Sequence, residues 1–404
     1  MRDTGHSVLP VPRGGVPFQV RFDPAAVADL RRRLSSRPSA PQASGPDWRT
    51  GPPQDYLQAF LAEWHDGYDF EAAAYRLNRF AQYLVPVSLA DGTSLNVHAT
   101  LEPGSNPTLP PLVMTHGWPS LPCEFHALVD RLAHPERHGG HADEGVTVIL
   151  LSLPGFGYSS TPRPVHAREI AGAWVRLLDE AFACPRFHAH GGDWGAVVAS
   201  WIAIDQPRRL HGLHLSMLGL RPALTPDQPL DDDEKRWVKD VQRRLAADGG
   251  YREQQATRPT TLAYGLADSP AFVAAWLLDK YHGWVGAGTD QPPLIPRERM
   301  LDLASLYWFS GSLATAGWIY HADRTQRHEL SPGQRCEVPT ACAFFGSGFF
   351  PPPPTRWVER GHLLRLRHDF PEGGHFPALT APDQLADTLA EWLRHPAFRS
   401  HAEA

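Results

Sequence analysis

The sequence has 404 residues, enough for one large α/β domain with a smaller inserted or appended unit. Hydrophobic residues make up 42% of it, and 38 basic against 44 acidic residues give a net charge of −6. No basic stripe and no apolar run of membrane-spanning length stand out, so neither a nucleic-acid partner nor a membrane partner is expected. The opening segment, residues 1–6, lacks the apolar stretch of a signal peptide, so we expect a cytoplasmic protein.

Residues 1–84 are predicted to form an N-terminal helical meander without chemistry of its own. Helical periodicity marks residues 24–34, 55–65 and 70–82. A stretch rich in Pro, Ser and Gly, residues 35–53, separates the first helix from the second and indicates a long connection.

Residues 85–220 and 336–404 are predicted to form the two parts of one α/β core. Residues 85–99 alternate like paired strands around a turn at Ala90-Asp91-Gly92. Further strands are predicted at residues 111–115, 146–151, 187–190, 213–216, 338–345 and 363–367, with helices at 122–133, 167–182 and 195–205. Strands that alternate with helices indicate a mostly parallel sheet with right-handed crossovers.

Residues 221–335 are predicted to form a helical lid inserted between the sixth and seventh strands. Strand patterns stop between residues 221 and 328, and the region is rich in aromatic side chains. These include Trp276, Trp284, Trp308, Phe309 and Trp318. The composition predicts an apolar pocket under the lid, although ordinary core packing would need the same residues.

A candidate nucleophile stands in Gly191-Gly-Asp-Trp-Gly195, directly after a predicted strand and before a helix. Small residues around a central side chain are typical of a sharp strand-to-helix turn, where strand and helix backbones approach closely. The helix N-terminus favours an anion there, and Asp193 occupies the position that serine holds in esterases. From this motif alone, a plain N-cap aspartate is an equal alternative.

Two further segments complete the pattern in chain order. His116-Gly-Trp-Pro119 follows a strand and predicts an oxyanion hole from the backbone N–H groups of Trp118 and Trp194. Gly373-Gly-His-Phe376 follows the last strand and makes His375 the candidate base.

A carboxylate nucleophile selects the chemistry. It attacks saturated carbon and forms an alkyl–enzyme ester, which a base-activated water then hydrolyses. An epoxide oxygen that leaves needs a proton, which a tyrosine can supply, whereas a halide needs N–H donors. No cofactor and no metal are implied by this mechanism.

Other metal chemistry has little support in the sequence. No CxxC or HExxH motif occurs among the four cysteines and 21 histidines. His134, His138 and His141 stand close together, but in a segment rich in Gly and Pro, which favours a wet surface loop over a metal site.

Together these motifs resemble the microsomal-type epoxide hydrolase family, an α/β-hydrolase fold with an N-terminal meander. The resemblance runs from about Val16 to the C-terminus. It rests on Phe22-Asp-Pro with Asp29-Leu-Arg-Arg-Arg33, Tyr75-Arg-Leu-Asn78, His116-Gly-Trp-Pro119, Leu153-Pro-Gly-Phe-Gly157, Gly191-Gly-Asp-Trp-Gly195 and Gly373-Gly-His-Phe376.

The resemblance implies two lid tyrosines that donate hydrogen bonds to the epoxide oxygen. Tyr251 precedes Thr257-Arg-Pro259, and Tyr320 follows the Leu306-Tyr-Trp308 helix, as in the family. Tyr264, Tyr281 and Tyr307 do not match those positions and are interpreted as lid packing.

The resemblance also implies a relay acid that orients the histidine from the loop after the seventh strand. The best-matching position here is Gly348, or a neighbouring Phe or Pro if the loop is gapped, and residues 338–358 contain no Asp or Glu. Glu337, Asp369 and Glu372 are near in sequence but lack the family context. Loss of a relay acid can cost several orders of magnitude in rate, so ester hydrolysis is the step most affected.

Three hypotheses follow from the sequence. The first is hydrolysis of a small apolar epoxide to a vicinal diol, with Asp193 as nucleophile and His375 as base. The second is haloalkane dehalogenation, in which the indole of Trp194 would bind the halide. The third is a hydrolysis-impaired homologue that binds or opens an epoxide without fast turnover. The sequence does not indicate an oligomeric state.

Overall fold

The computed structural model describes residues 11–399 except residues 37, 42, 44, 46 and 327, so the opening segment used above lies outside the described residues. The strands, in chain order, are β1 Val16–Phe18, β2 Ala81–Ser88, β3 Ser94–Glu102, β4 Leu112–Thr115, β5 Val148–Leu151, β6 Phe187–Gly191, β7 Leu210–Leu215, β8 Cys336–Phe345 and β9 His362–Phe370. They form one sheet in the order β1-β2-β3-β5-β4-β6-β7-β8-β9.

The sheet is mostly parallel, which confirms the predicted fold class. The pairs from β5 through β9 are parallel, whereas β1, β2 and β3 run antiparallel to their neighbours. Every residue of β4 and β5 is buried, as expected for central strands covered by helices on both faces. The covering helices are α4 His126–Ala133, α5 Ala167–Glu180 and α6 Asp193–Asp205.

The N-terminal region contains α1 Pro24–Leu34, α2 Gln54–Ala62 and α3 Phe70–Leu77. The first helix has the predicted bounds, because Asp23 caps it with a bond from the Ala26 N–H and its apolar stripe is buried. The predicted helix 70–82 is too long: the chain leaves α3 after Leu77 and pairs with β3 from Ala81 onward. From Ala81 onward, hydrogen bonding to β3 determines the backbone conformation in spite of the local helical periodicity.

The lid consists of helices α7 Asp232–Asp248, α8 Gly250–Thr257, α9 Pro259–Asp268, α10 Pro270–Gly283, α11 Arg297–Ser310, α12 Leu313–Ala316 and α13 Trp318–Asp323. They lie between β7 and β8, which are the sixth and seventh strands of the sequence prediction because β1 was not predicted. In the described part of the chain, no single helix is long and apolar enough to span a membrane. The pair α9 and α10 meets that test only jointly, with a bend of 118°.

The chain after β8 returns to the core through α14 Thr355–Gly361, α15 Pro377–Thr380, α16 Pro382–Arg394 and α17 Pro396–Arg399. A buried ion pair joins this part to the lid. Arg360 of α14 donates to the two carboxylate oxygens of Glu234 at 2.5 and 2.8 Å, and to the carbonyl oxygens of Gln228 and Pro229. The lid is therefore anchored where it leaves the sheet.

Candidate active site

The predicted nucleophile stands at a strained bend between β6 and α6. Asp193 has φ of +46°, a region that non-glycine residues seldom adopt. A Cβ atom at Gly191 would collide with the backbone of Gly195, and one at Gly195 would collide with the carbonyl oxygen of Thr115. Both glycines are needed for the close approach of strand and helix, and the bend lifts Asp193 above the edge of the sheet.

The loop after β4 holds one oxygen of this carboxylate. The backbone N–H of Trp118 donates to Oδ1 of Asp193 over 2.8 Å, and the Trp118–Pro119 peptide bond is cis. Trp194, the second predicted donor, is the second residue of α6, where backbone N–H groups have no intrahelical acceptor. Both N–H groups are therefore available to a developing oxyanion on Asp193.

Three side chains fix this donor loop. The Leu153 N–H donates to Nε2 of His116, whose Nδ1 lies 2.9 Å from the Gly117 carbonyl oxygen. Burial lowers the pKa of His116 to about 4, so its ring stays neutral at ordinary pH. Tyr281 and Tyr307, interpreted from sequence as lid packing, donate to the carbonyl oxygens of residues 119 and 120 at 2.8 and 3.0 Å.

His375 lies beside the carboxylate, on the loop after β9. Its Nε2 is 3.3 Å from Oδ2 of Asp193, and its side chain is 5% exposed. Its backbone N–H donates to the Trp284 carbonyl oxygen at 2.8 Å, and its ring packs edge-on against the Trp284 and Phe376 rings. Two left-handed glycines, Gly373 and Gly374, shape the turn that brings the histidine there.

The expected relay acid has no counterpart in this geometry. Among the described carboxylates, only Asp193 lies within 4.0 Å of a ring nitrogen of His375. Gly348 does lie against the histidine loop, but a Cβ there would be 2.9 Å from Cα and C of Gly374 and from the backbone nitrogen of His375. Gly348, the position that the sequence best matches to the expected relay acid, therefore has no room for a side chain.

The three acids near in sequence do not substitute. Glu337 and Glu372 are exposed, and Asp369 is exposed and bound by Arg367 at 2.6 and 2.8 Å. This exposure agrees with the sequence analysis, in which none of the three acids stands in the surroundings that the family's relay acid has.

The structure brings the two lid tyrosines together near the nucleophile. Tyr251 of α8 stacks on the Trp118 indole with centroids 5.1 Å apart, and Tyr320 of α13 meets the same indole edge-on at 5.8 Å. The two phenol rings are 5.8 Å apart, and Tyr320 also packs on Trp194 at 4.9 Å. Burial, and next to it the charge of Asp193, raises the pKa of Tyr251, and burial chiefly raises that of Tyr320. Both phenols therefore stay protonated.

A buried cation supports the lid wall. The Nζ of Lys280 lies 5.1 Å from the centroid of the Tyr251 ring and pairs with Asp248 at 2.6 Å and Asp279 at 2.8 Å. Asp248 also accepts the Nε1–H of Trp284 at 2.9 Å. Asp248 thus links Lys280, which lies behind Tyr251, to Trp284, whose carbonyl oxygen accepts from the N–H of His375.

Beside this wall, a groove of about 500 Å³ opens on the lid surface and reaches Tyr251. Leu262, Phe272 and Trp276 form its apolar part, and Asp279 and Lys280 border it. All the residues that line this groove belong to the lid, so the apolar pocket predicted under the lid stays a prediction. Of the aromatics named from the sequence, Trp276 lines the groove.

Other residues named from the sequence lie away from this site. Tyr264 is 77% exposed. His134 lies 2.8 Å from Glu102, and His138 lies 2.8 Å from Asp130. No group of metal-binding side chains occurs among the residues that the structure describes.

The sheet order and the place of Asp193 at the bend after β6 define the class as an α/β-hydrolase fold with a carboxylate where esterases carry serine. Residues 110–262 match the family described as alpha/beta hydrolase fold, and residues 16–125 match the family described as Epoxide hydrolase N terminus. A Stigmatella aurantiaca protein named "Putative epoxide hydrolase" is 34% identical over 384 residues, which cover 94% of this chain and 85% of that protein. The chain belongs to the epoxide hydrolase family.

Two solved structures share the fold. The juvenile hormone epoxide hydrolase of the silkworm Bombyx mori superposes with a TM-score of 0.81 at 24% identity, over 95% of each chain. The Aspergillus niger epoxide hydrolase gives a TM-score of 0.79 at 24% identity, over 95% of this chain and 98% of that one.

One residue that sequence reasoning missed is Glu124. In the sequence it is one of two acids, with Asp130, in the predicted helix 122–133, and it has no motif around it. In the structure it is 8% exposed and borders the same small cavity as Asp193 and His375. The sequence signal that could have identified it is a carboxylate in an apolar stretch close to the oxyanion loop. The residues that share its cavity, Asp193 and His375, are distant in sequence.

Proposed function

We propose that this protein hydrolyses small apolar epoxides to vicinal diols through an ester on Asp193. The observation that carries the proposal is the pairing of a fixed carboxylate with two neutral phenols. Trp118 holds one oxygen of Asp193 through its N–H, and its ring contacts both Tyr251 and Tyr320, which also contact each other. The nucleophile and the two phenols are therefore grouped around one residue, Trp118.

In the first half-reaction, an oxygen of Asp193 attacks a ring carbon of the epoxide. The new C–O bond forms as the ring C–O bond breaks, and the bonding pair moves onto the epoxide oxygen. Tyr251 and Tyr320 donate hydrogen bonds to that oxygen, and one of them supplies the proton. Their raised pKa values keep them as donors across the neutral and mildly alkaline range.

In the second half-reaction, His375 takes a proton from water, and the hydroxide attacks the ester carbonyl carbon of Asp193. The N–H groups of Trp118 and Trp194 stabilise the tetrahedral oxyanion. Its collapse breaks the bond to the substrate oxygen, which takes the proton from His375 and leaves as part of the diol. The hydroxyl proton that water left on Asp193 passes to the tyrosinate, which regenerates both the carboxylate and the phenol. The 3.3 Å separation between His375 and Asp193 places the base next to the carbon that is attacked.

The substrate class is inferred from the lid. The groove that reaches Tyr251 has about 500 Å³, within the usual range for small-molecule sites, and Phe272 and Trp276 contribute its apolar walls. These features support an apolar group on the epoxide.

The test mixes the protein with styrene oxide and follows both the diol and the intact-protein mass. We expect diol formation together with a transient mass increase of one epoxide on Asp193. The Asp193→Asn variant is the control and should show neither product. Absence of both adduct and diol from the wild-type protein across a broad epoxide panel would exclude the proposal.

A halide-releasing activity has one observation in its favour. The Nε1 of Trp118 is buried, and it has no acceptor among the described residues, so a donor is available near Asp193. The paired phenols favour the epoxide, because an alkoxide needs a proton and a chloride does not. Halide release from a chloroalkane, measured in the same experiment, distinguishes the two functions.

A further inference from the structure

A small cavity lies against the catalytic pair. About 20 Å³ of it is open to a water-sized sphere, which is enough for one water molecule. Asp193 and His375 both border it, together with Glu124, His190 and Ser216. The cavity thus brings a second carboxyl group to the nucleophile and the base.

Glu124 has the character of a functional acid. It is 8% exposed, and none of the described basic residues forms an ion pair with it. Burial raises the pKa of its carboxyl to about 8, the neighbouring Ser120 hydroxyl lowers it, and the charge of Asp193 raises it. A buried, unpaired carboxyl costs stability, so its presence at this position calls for a role.

The other groups at the cavity cannot replace a charged partner. His190 is buried, its pKa is lowered to about 3 by burial, and its Nδ1 lies 3.0 Å from Nδ1 of His214, so it remains neutral. Ser216 has a hydroxyl that binds water but carries no charge. Gly348, on the opposite loop, contributes no side chain. Glu124 is the one described acid at this cavity besides the nucleophile.

We propose that Glu124 is the positioning acid of ester hydrolysis: from the shared cavity it holds the water that His375 activates, and it offsets the charge that His375 gains. The inference rests on the proposed epoxide hydrolase function and names the residue that replaces the relay acid missing at Gly348.

The chemistry of the intermediate favours this role. In the free enzyme, the negative charge of Asp193 disfavours a second charge on Glu124. Esterification neutralises Asp193, which removes that repulsion and makes Glu124 more acidic. The carboxyl is thus easiest to ionise in the state that needs a negative partner for the imidazolium.

In the proposed step, Glu124 accepts a hydrogen bond from one hydrogen of the water. The other hydrogen passes as a proton to Nε2 of His375, and the water oxygen forms its bond to Cγ of Asp193. The C–O bond to the substrate then breaks, and the diol leaves with the proton that His375 carried. The hydrogen that the water oxygen kept passes from Asp193 to the tyrosinate of the first half-reaction, so that carboxylate and phenol are both restored. Glu124 ends in its starting state and touches the reacting water alone.

The test separates the two half-reactions in single-turnover measurements with styrene oxide. The Glu124→Gln variant keeps the shape of the side chain but cannot carry its charge. We expect the rate of alkylation to stay at the wild-type value and the rate of ester hydrolysis to fall roughly 10- to 100-fold. The alkyl–enzyme should then accumulate in the intact-protein mass spectrum, and KM should fall together with kcat.

The matched control is Glu102→Gln. Glu102 is a partly buried glutamate whose Oε1 lies 2.8 Å from Nε2 of His134. It pairs with Val148 at the start of β5, whereas Asp193 follows the end of β6, so the two acids lie at opposite ends of the parallel strands. This variant should hydrolyse the ester at the wild-type rate. A merely structural role for Glu124 would slow both half-reactions together instead of hydrolysis alone.

Wild-type hydrolysis by a folded Glu124→Gln variant overturns the inference and leaves the proposed function intact. Failure of the wild-type protein to form either adduct or diol removes both. If Glu124→Gln does not fold, Glu124→Asp retains the charge and shortens the reach by one methylene. Slower hydrolysis at unchanged alkylation then supports the role of Glu124, and unchanged hydrolysis refutes it.

Discussion

Replacing Gly348 with aspartate puts a carboxylate at the family's relay position, yet we expect it to lower activity. A Cβ at this position would lie 2.9 Å from Cα and C of Gly374 and from the backbone nitrogen of His375. Optimal separations between nonbonded atoms are ~3.5–4.0 Å, so the histidine loop has to retreat by roughly 0.6–1 Å. All the atoms in the way belong to the backbone, which cannot swing aside as a flexible side chain can.

The magnitude follows from what this loop positions. Overpacking of this kind costs about 1–3 kcal/mol of folding stability. The Nε2 of His375 stands 3.3 Å from Oδ2 of Asp193, so a displacement near 1 Å is large on the scale of the contact. A misplacement of that size costs about 100-fold in rate, and we expect hydrolysis of the ester to slow by that order.

The assay compares Gly348→Asp with Gly348→Ala, which introduces the same Cβ without a carboxylate. Denaturant titration gives the loss in the free energy of unfolding, and single-turnover kinetics with styrene oxide give the two rates. We expect both variants to lose stability and hydrolysis rate to a similar extent. Faster hydrolysis by Gly348→Asp than by wild type, at unchanged stability, would show that the loop adapts and would refute the steric reasoning.

Three further outcomes are expected. Tyr251→Phe and Tyr320→Phe should each slow alkylation by roughly 100-fold, since each removes one donor to the developing alkoxide; quenched single turnovers measure this. Arg360→Met should reduce the free energy of unfolding by about 3–5 kcal/mol in denaturant titrations, because it leaves buried Glu234 unpaired. The hydrogen bonds from Arg360 hold the pKa of Glu234 below its ordinary value. The ion pair therefore stabilises the fold fully above the pKa that Glu234 has in the unfolded chain. This contribution to the free energy of unfolding is lost as the pH falls through the lower pKa of the folded protein. The stability difference between wild type and Glu234→Gln should therefore vanish in acid, and a difference that persists there would contradict the assignment.

The strands of the core were predictable because their periodicity and their all-apolar runs come from burial that the sequence itself encodes. The three-residue strand β1 was not predicted. It contains a proline, it lies at the edge of the sheet, and its pairing with β2 is its main support. The helix predicted to reach residue 82 ends at Leu77 for a related reason, since pairing with a neighbouring strand is invisible to local periodicity.

At the site, motif order was enough to propose Asp193, His375 and the two lid tyrosines, and the structure brings all four together. The sequence also showed that no acid stands near position 348. It could not show that a side chain has no space there, because the obstructing atoms belong to a loop some 25 residues away in sequence. For the same reason, the place of Glu124 is visible only in the structure, where the short 3-10 helix Pro122–Phe125 after β4 and the loop after β9 meet at one cavity.

Burial of this site acts in opposite directions on the two half-reactions. It raises the pKa values of Tyr251 and Tyr320, which keeps both phenols protonated for ring opening. During hydrolysis Asp193 is esterified, so the imidazolium that forms on His375 loses its carboxylate neighbour, and a buried charge without a partner is costly. A dry site that opens epoxides well therefore needs a carboxyl group near its base. The loop at Gly348 has no room to supply one, and the cavity that Glu124 shares with His375 lies where that partner is required.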